Sequence, residues 1–238
     1  MPEIYKIKMA AAIFIFNVVA DWSNDMINYE YITQYIRKTI KPNTGLLAEL
    51  EEYASKNHVP IIQPEVAALL KVIGSMKRPA RILEVGTAIG YSSILFSGFL
   101  QQKGIIDTIE RNEEMIEVAR KNIKRAGLQG TINVIAGDAL EVLTCLDKSY
   151  DMIFIDAAKG QYGEFFEHCK RMLASDGIIV SDNVLYKGMT ASDELVVRRK
   201  RTIVNRMRSF LKELCEDESF ETGIIPIGDG VALSYNKQ

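Results

Sequence analysis

Short β-rich runs alternate with helical patterns through the middle of the chain, and this alternation restricts the fold more than any other feature. The β-rich runs occupy residues 81–85, 105–110, 132–136, 152–155 and 177–180. Helical spacing separates most of them, at residues 92–102, 112–126 and 161–173. Strands and helices that alternate in this way form a parallel sheet that helices cover on both faces. The pattern therefore predicts an α/β fold with a central, mostly parallel sheet.

Helices flank this central region, and a hairpin follows it. Helical spacing predicts an all-helical amino-terminal layer and one long helix nearer the carboxyl end, at residues 26–40, 46–54, 64–73 and 193–215. A glycine-rich turn at residues 228–230, between two apolar runs, predicts an antiparallel hairpin. No internal repeat or linker divides the pattern, so residues 26–238 are predicted to form a single domain.

Composition limits the class of protein. The 238 residues are 47% hydrophobic and 25% charged, which is enough to bury a full core. The net charge of -2 argues against a protein that coats nucleic acid non-specifically, but it leaves a local basic patch open. The three cysteines and two histidines are too few and too widely spaced for a disulfide framework or a zinc site. A reducing cytoplasm is therefore expected.

Residues 1–25 depart from this pattern. Lys6 and Lys8 precede an apolar run over residues 9–20, which resembles a short secretory signal and is too short to span a bilayer comfortably. Free cysteines argue against export, so we interpret residues 1–25 as an atypical extension and Met26 as the true start. The alternatives are a packed extra helix and a weak membrane anchor. No stable membrane association is expected of the domain.

Oxygen-bearing side chains follow two of the predicted strands. Asp156 comes directly after the fourth strand, and Asp182 and Asn183 come after the fifth. Open α/β sheets bind ligands at the carboxyl ends of their strands. Two carboxylates and an amide suit Mg²⁺ or another hard divalent cation, whereas either aspartate alone would more simply cap the following helix. The nearby Lys159 is a candidate base.

A glycine loop follows the first predicted strand. Gly86 and Gly90 give the spacing G-x-x-x-G, which differs from the loop of dinucleotide-binding proteins and disfavours an NAD oxidoreductase. The carboxylate of Glu84 would repel a diphosphate and attract the ammonium of an amino acid. Glu110 ends the second strand, where a carboxylate can bind both ribose hydroxyls, and Asp138 follows the third strand. These groups together suit S-adenosylmethionine; the alternative is a tight turn without a ligand.

These motifs resemble those of the cation-dependent class I O-methyltransferases, the group that contains catechol and caffeoyl-CoA O-methyltransferases. The resemblance covers residues 26–238 and implies a Rossmann-like fold, S-adenosylmethionine as methyl donor and a homodimer. Within this group the chain is most similar to bacterial tRNA 5-hydroxyuridine methyltransferases, through residues 58–61, 86–92, 108–113, 154–162, 182–185 and 225–230.

The resemblance also implies roles for individual residues. It implies that Asp156, Asp182 and Asn183 bind the metal, and it places Lys159 where catechol methyltransferases have their proposed general base. The resemblance implies contacts with the cofactor at Ile62, Ser92, Glu110, Asp138, Ala139 and Asp156. Glu84 and Gly86 of the glycine loop are predicted to contact it as well.

A cluster of cations bears on which class of methyl acceptor the protein binds. The predicted helix over residues 193–215 carries six of them, at Arg198, Arg199, Lys200, Arg201, Arg206 and Arg208. Such a cluster can neutralise tRNA phosphates, or it can be a solvated helix face. Tyr162 and Tyr186 are candidates for stacking on an unpaired base, although either can equally be a packing residue.

With the resemblance, these features predict methylation of 5-hydroxyuridine at the wobble position of tRNA to 5-methoxyuridine. The first four cations of the cluster would then contact the anticodon region. One alternative is a small-molecule catechol or hydroxycinnamoyl-CoA methyltransferase, because a catechol also offers two adjacent oxygens to a metal. A more remote alternative is a non-catalytic cofactor- or RNA-binding module.

Overall fold

A computed structural model of the chain describes residues 27–238, and within them seven strands form one sheet. The strands are β1 (Arg81–Val85), β2 (Ile105–Glu110), β3 (Ile132–Ala136), β4 (Tyr150–Ile155), β5 (Leu173–Ser181), β6 (Phe220–Ile225) and β7 (Val231–Asn236). Their order is β3-β2-β1-β4-β5-β7-β6; the first five are parallel, and β7 is antiparallel to both of its neighbours. The predictions of a mostly parallel sheet and a terminal hairpin are confirmed.

Helices cover both faces of this sheet. Those within the described residues are α1 (Glu30–Thr39), α2 (Leu46–Asn57), α3 (Pro64–Lys77), α4 (Tyr91–Ser97), α5 (Glu113–Arg125), α6 (Ala139–Cys145), α7 (Tyr162–Met172) and α8 (Arg201–Glu216). Apolar side chains of α2 to α5 pack on one face, and those of α6 to α8 pack on the other. Across residues 27–238, every helix is too short or too polar to cross a bilayer. The predictions made for residues 1–25 lie outside the described residues.

Helix ends follow local capping chemistry. The Asn112 side chain accepts a hydrogen bond from the Met115 amide and caps α5, which begins one residue after the predicted start. Helix α6 was not predicted from the sequence, because its seven residues show less than two full turns of apolar period. The Asp138 side chain, which accepts from the Leu140 amide at 3.0 Å, was the available signal.

The cationic segment near the carboxyl end differs from the prediction of one helix over residues 193–215. Residues 193–200 instead contain two separate 3₁₀ turns, and α8 begins only at Arg201. Val196 and Val197 lie between the turns with extended backbones, at ψ angles of 109° and 131°. Because β-branched residues favour extended conformations, they interrupt the helix at this point. The first three cations of the predicted cluster therefore precede the helix.

Aromatic contacts fix the position of α8 on the sheet. Phe210 of α8 meets Tyr162 and Phe166 of α7 edge-on, with ring centroids 5.6 Å and 5.9 Å apart. All three side chains are buried, and such edge-to-face pairs stabilise packing beyond the area they bury. These contacts hold α8 against α7, the helix that follows β4.

A buried carboxylate links β2 to the chain that enters β4. Asp107 accepts hydrogen bonds from Lys148 Nζ and the Tyr150 hydroxyl, both at 2.8 Å, and from Asn133 Nδ2 at 3.0 Å. Burial alone would raise the pKa of Asp107, but these three donors outweigh burial and hold the pKa below its ordinary value. The ionised carboxylate therefore stabilises the fold.

We expect Asp107→Ala to lower the free energy of unfolding by about 2–3 kcal/mol at neutral pH, because the buried Tyr150 hydroxyl loses its acceptor. The folded-state pKa lies below the unfolded value of about 3.9. The contribution is thus present above that pH and is lost as the pH falls through the folded-state pKa. Urea unfolding at about pH 7 and pH 3 tests this, with exposed Asp147→Asn as control. An equal loss at both pH values would contradict the role of the charge.

Candidate active site

The carboxyl ends of the parallel strands form a crevice where the strand order changes direction. Strand β1 lies between β2 and β4, so the connections on its two sides run to opposite edges of the sheet. Backbone pairing continues beyond the strand ends: Asp156 N donates to Val85 O at 3.0 Å, and Asp182 N donates to Ile155 O at 2.9 Å. Such switch points are where open α/β sheets bind ligands.

A cavity of about 320 Å³ opens at this point. Its wall contains most of the predicted site residues, namely Ile62, Gly86, Ser92, Glu110, Asp138, Ala139, Asp156, Lys159 and Asn183. The wall also includes Tyr91, Arg111 and Gln161, which were not predicted to contact a ligand. Arg111 adjoins Glu110, and Gln161 belongs to the same run as Lys159. Their position next to predicted site residues in the sequence could have identified them.

Glu84 differs from its prediction, because it lies behind the cavity wall. Its carboxylate is fully buried and accepts hydrogen bonds from the hydroxyls of Ser92, Ser93 and Thr108. Burial raises the pKa of Glu84 to about 7, although these three hydroxyls oppose the rise. The structure therefore brings Ser92, and not the Glu84 carboxylate, to the cavity. Glu84 can act on a ligand there only through the Ser92 side chain.

Glu110 links the glycine loop to the end of β2. Its Oε2 accepts from the Ala88 amide at 2.9 Å, and its Oε1 accepts from the Asn112 amide at 2.9 Å. Ala88 has a φ of 45°, a left-handed conformation that non-glycine residues adopt only when their surroundings hold them. Oε1 also accepts from the Arg111 amide at 3.0 Å, so both of its lone pairs are used, whereas Oε2 accepts one bond and keeps accepting capacity on the cavity wall.

The three predicted metal ligands follow β4 and β5; Asp156 and Asn183 line the cavity, whereas Asp182 is buried and is not part of its wall. Asp182 is 1% exposed, and its Oδ1 accepts from the Asn183 amide at 2.7 Å. Burial raises the pKa of Asp156, and burial together with the Asp156 charge raises that of Asp182. Lys159 Nζ donates to Asn183 Oδ1 at 2.8 Å. A cationic group thus already lies against this set of oxygens.

The chemistry of this donor set fits a hard divalent cation. Two carboxylates and one amide oxygen are ligands that Mg²⁺ accepts, and such a cation would offset the like charges of Asp156 and Asp182. No cluster of three or more His, Cys, Asp or Glu side chains suited to a metal occurs in the described part of the chain. The set therefore depends on Asn183 as its third protein ligand.

The two candidate stacking residues have different environments. Tyr162 is 1% exposed, and its hydroxyl donates to the Asp182 carbonyl at 2.8 Å, so it is a packing residue that fixes the backbone at the site. Tyr186 is partly exposed, with Lys159 Nζ 5.6 Å and Lys200 Nζ 5.9 Å from its ring centroid. Tyr186 therefore links the Lys159 side of the cavity with the cationic turn, which comprises Arg198, Arg199, Lys200 and Arg201.

The structure divides the six predicted cations into two groups. Arg206 and Arg208 of α8 bind within the protein, to the Gly160 carbonyl and to the loop that precedes residue 194. These bonds use all three guanidinium nitrogens of Arg208 but only one of Arg206, which is exposed and keeps further N–H donors, so Arg208 alone is committed to the protein. The other group lies at the start of α8, where no carboxylate of residues 27–238 forms an ion pair with it: Arg198, Arg199, Lys200 and Arg201.

Comparison with known proteins decides the family. A family model described as O-methyltransferase matches residues 37–237. The chain belongs to the O-methyltransferase family. It is 32% identical to a catechol O-methyltransferase of Niastella koreensis over 179 residues, which are 73% of this chain and 76% of the relative. It is 30% identical to a caffeoyl-CoA O-methyltransferase of Populus kitakamiensis over 224 residues, which are 87% of this chain and 94% of the relative.

Solved O-methyltransferase structures have the same fold. The O-methyltransferase of Bacillus cereus, determined in complex with SAH, superposes with a TM-score of 0.77 at 25% identity. The alignment covers 87% of this chain and 97% of that protein. These findings confirm the predicted Rossmann-like fold and the prediction of an S-adenosylmethionine-dependent O-methyltransferase.

Proposed function

We propose that this O-methyltransferase converts 5-hydroxyuridine at the wobble position of tRNA to 5-methoxyuridine, with a divalent cation such as Mg²⁺. The observation that carries the proposal is the position of Lys200 over the Tyr186 ring. Through Tyr186 and Lys159, it brings the cationic turn beside Asn183 of the donor set. An RNA bound at the turn would thus lie next to the cavity.

The cavity residues divide the work of binding and orientation. S-adenosylmethionine would supply the methyl group from its sulfonium sulfur. Glu110 would bind its ribose, and Asp138 and Ala139 would contact its adenine. A divalent cation held by Asp156, Asp182 and Asn183 would lower the pKa of an acceptor hydroxyl.

The protein then mainly holds donor and acceptor in line. Tyr162 and the Asn183 amide fix the backbone and carboxylate of Asp182. Lys159, the candidate base, is held at Asn183 Oδ1 on the acceptor side.

The start of α8 supports a polyanionic acceptor. The first turn of this 16-residue helix has no acidic residue, and Arg198, Arg199, Lys200 and Arg201 lie at or before it. Cations at a helix amino terminus are opposed by the helix dipole, so their placement there costs stability. Phosphates of an RNA would offset both the dipole and the mutual repulsion of the cations. Tyr186 could then stack on an unpaired base.

A small-molecule acceptor is the second candidate, because two relatives are named as catechol and caffeoyl-CoA O-methyltransferases. A catechol offers two adjacent oxygens, as 5-hydroxyuracil does with O5 and the O4 carbonyl. The same donor set suits both classes of acceptor. The phosphates of a CoA thioester could also meet the cationic turn, so the acceptors must be compared directly.

A homodimer is also part of the proposal, as the resemblance implies. Exposed apolar side chains on α3 and the terminal hairpin support it, among them Val72, Met76 and Tyr235. Sedimentation equilibrium tests it, and a monomer at micromolar concentration would contradict it.

The deciding experiment measures transfer of labelled methyl groups from S-adenosylmethionine in the presence of Mg²⁺. The acceptors are an anticodon stem-loop with 5-hydroxyuridine at the wobble position, the same RNA with uridine, catechol and caffeoyl-CoA. We expect 5-methoxyuridine in nucleoside mass analysis, formed only with protein and metal. Label on catechol or caffeoyl-CoA alone would move the protein to the second candidate.

The cationic turn is tested by changing all four of its residues to glutamine: Arg198, Arg199, Lys200 and Arg201. We expect the KM for the RNA to rise by at least about tenfold and its dependence on salt to become weaker, because phosphate contacts are lost. Catechol methylation should not change. Lys103→Gln/Lys121→Gln, which removes two exposed cations elsewhere, is the control. An unchanged KM for RNA would show that the turn is a solvated surface without a role in RNA binding.

A further inference from the structure

The loop of residues 183–193, called the acceptor loop below, has a strained backbone. Asn183, Tyr186 and Lys187 have φ angles of 57°, 46° and 57°, and Gly188 follows with 76°. Left-handed conformations are uncommon for residues other than glycine and persist only where the surrounding structure imposes them. The acceptor loop carries Asn183 and Tyr186, so contacts that hold its shape also hold the acceptor side of the site.

Some of these contacts come from the loop itself and from the terminal hairpin. The Thr190 hydroxyl donates to the Val184 carbonyl at 3.0 Å and thereby links the two halves of the loop. Asp229, in the turn between β6 and β7, accepts from the Leu185 amide through its carbonyl at 3.0 Å and from the Lys187 amide through its side chain. These bonds restrain the first half of the loop.

Arg208 restrains the second half. Its Nε donates to the Thr190 carbonyl at 2.9 Å, and its two terminal nitrogens donate to the Met189 carbonyl at 3.1 Å and to Asp193 Oδ1 at 2.6 Å. A planar guanidinium offers such a fork of donors in a fixed geometry, which a lysine ammonium cannot reproduce. The aromatic packing of α8 on α7 supports the arginine from behind.

A second arginine of the same helix holds the other side of the site. Arg206 donates to the Gly160 carbonyl at 3.1 Å, within the 3₁₀ turn Lys159–Gln161. The two segments that α8 anchors meet in the hydrogen bond between Lys159 Nζ and Asn183 Oδ1. Helix α8 therefore sets the distance between them.

We propose that Arg208 is a positioning residue that sets the affinity for the methyl acceptor by holding the acceptor loop in its binding conformation. The inference rests on the proposed function, in that the acceptor binds at the Asn183 end of the cavity. Arg208 lies outside the cavity wall; it acts through the Met189 and Thr190 carbonyls and the Asp193 side chain. Arg208 is one of the six cations considered above for RNA binding, and its hydrogen bonds commit it to the acceptor loop instead.

This role predicts a change in KM rather than in kcat. When only a fraction of the protein has the binding conformation, the apparent affinity falls in proportion to that fraction. Saturating acceptor restores the binding conformation, so the rate of methyl transfer at saturation is preserved. Binding of S-adenosylmethionine depends mainly on the glycine loop and the ends of β2 and β3, and it is expected to stay the same.

The experiment compares Arg208→Lys with the wild-type protein, using the acceptor that the wild type methylates. We expect the KM for the acceptor to rise by at least about tenfold, while kcat and the cofactor affinity from calorimetry stay within about twofold. Amide hydrogen exchange in residues 183–193 should become faster. Lys212→Gln, which changes an exposed cation one turn further along α8, is the matched control and should behave as wild type.

Asp193→Asn provides a second, milder variant, because Asp193 is exposed and receives only one of the three hydrogen bonds. We expect a rise in KM of about two- to threefold, in the same direction. Unchanged KM and unchanged loop exchange in folded Arg208→Lys would overturn the inference, as would an equal loss of kcat and cofactor affinity. A wild-type protein that methylates none of the acceptors would instead contradict the proposed function, and loop exchange alone would then decide the role of Arg208.

Discussion

We expect Asp182→Asn to lower kcat/KM for methyl transfer by about a thousandfold or more, without lowering the thermal midpoint. Asp182 is one of only two carboxylates in the proposed donor set, and a bound cation contributes several kcal/mol to catalysis; about 4 kcal/mol corresponds to a thousandfold change in rate. Asparagine keeps the shape of the side chain and the Oδ1 that accepts from the Asn183 amide. Burial and the Asp156 charge raise the pKa of Asp182 and so disfavour its charged form, and the substitution should leave the metal-free fold as stable as before, or more stable.

Three measurements separate a lost ligand from a lost fold. They are methyl transfer at saturating Mg²⁺, calorimetric titration with Mg²⁺, and thermal unfolding without metal. Asp147→Asn is the control, because it removes an exposed carboxylate just before β4, at the opposite end of that strand from Asp156. Full metal-dependent activity in Asp182→Asn would show that this residue is not a ligand. A large drop in the thermal midpoint would attribute the loss to unfolding instead.

The second large effect is expected of Gly86→Ala. Gly86 has a φ of 106°, and a Cβ at this position would overlap the backbone carbonyl oxygen of Asp156. The clash adds about 1–3 kcal/mol of overpacking to about 1–2 kcal/mol of backbone strain, so the free energy of unfolding should fall by about 2–5 kcal/mol. The glycine loop must also move away from β4, and we expect cofactor affinity to fall by at least about tenfold.

Gly90→Ala separates the clash from the strain. Gly90 also has a positive φ, of 80°, but a Cβ there would find its nearest neighbour, Ala119, at an ordinary 3.5 Å. Only the strain remains, about 1–2 kcal/mol. Urea unfolding and calorimetry with S-adenosylmethionine measure both variants. Equal losses in the two proteins would mean that the close approach of Gly86 to Asp156 has no special importance.

Much of the sheet and of the site followed from the sequence. The observed bounds of β1, β2 and β3 equal the predicted ones, because each is a short β-rich run that turn-forming glycine, proline or polar residues flank. The convergence of Asp156, Asp182 and Glu110 on one edge was also predictable. In a parallel sheet every strand presents its carboxyl end to the same edge, so residues that are distant in sequence become neighbours there.

Side-chain partners did not follow in the same way. Glu84 and Glu110 both lie on parallel strands next to the glycine loop, yet the first is enclosed by three hydroxyls and the second reaches the cavity wall. Arg198 and Arg208 are both cations of one segment, yet Arg208 is committed to the acceptor loop. The sequence determined the periodicity of burial and the chemistry at each strand end, because these depend on neighbouring residues. Only the tertiary structure decided which carboxylate or cation remains available, because each partner comes from a part of the chain that folding alone brings near.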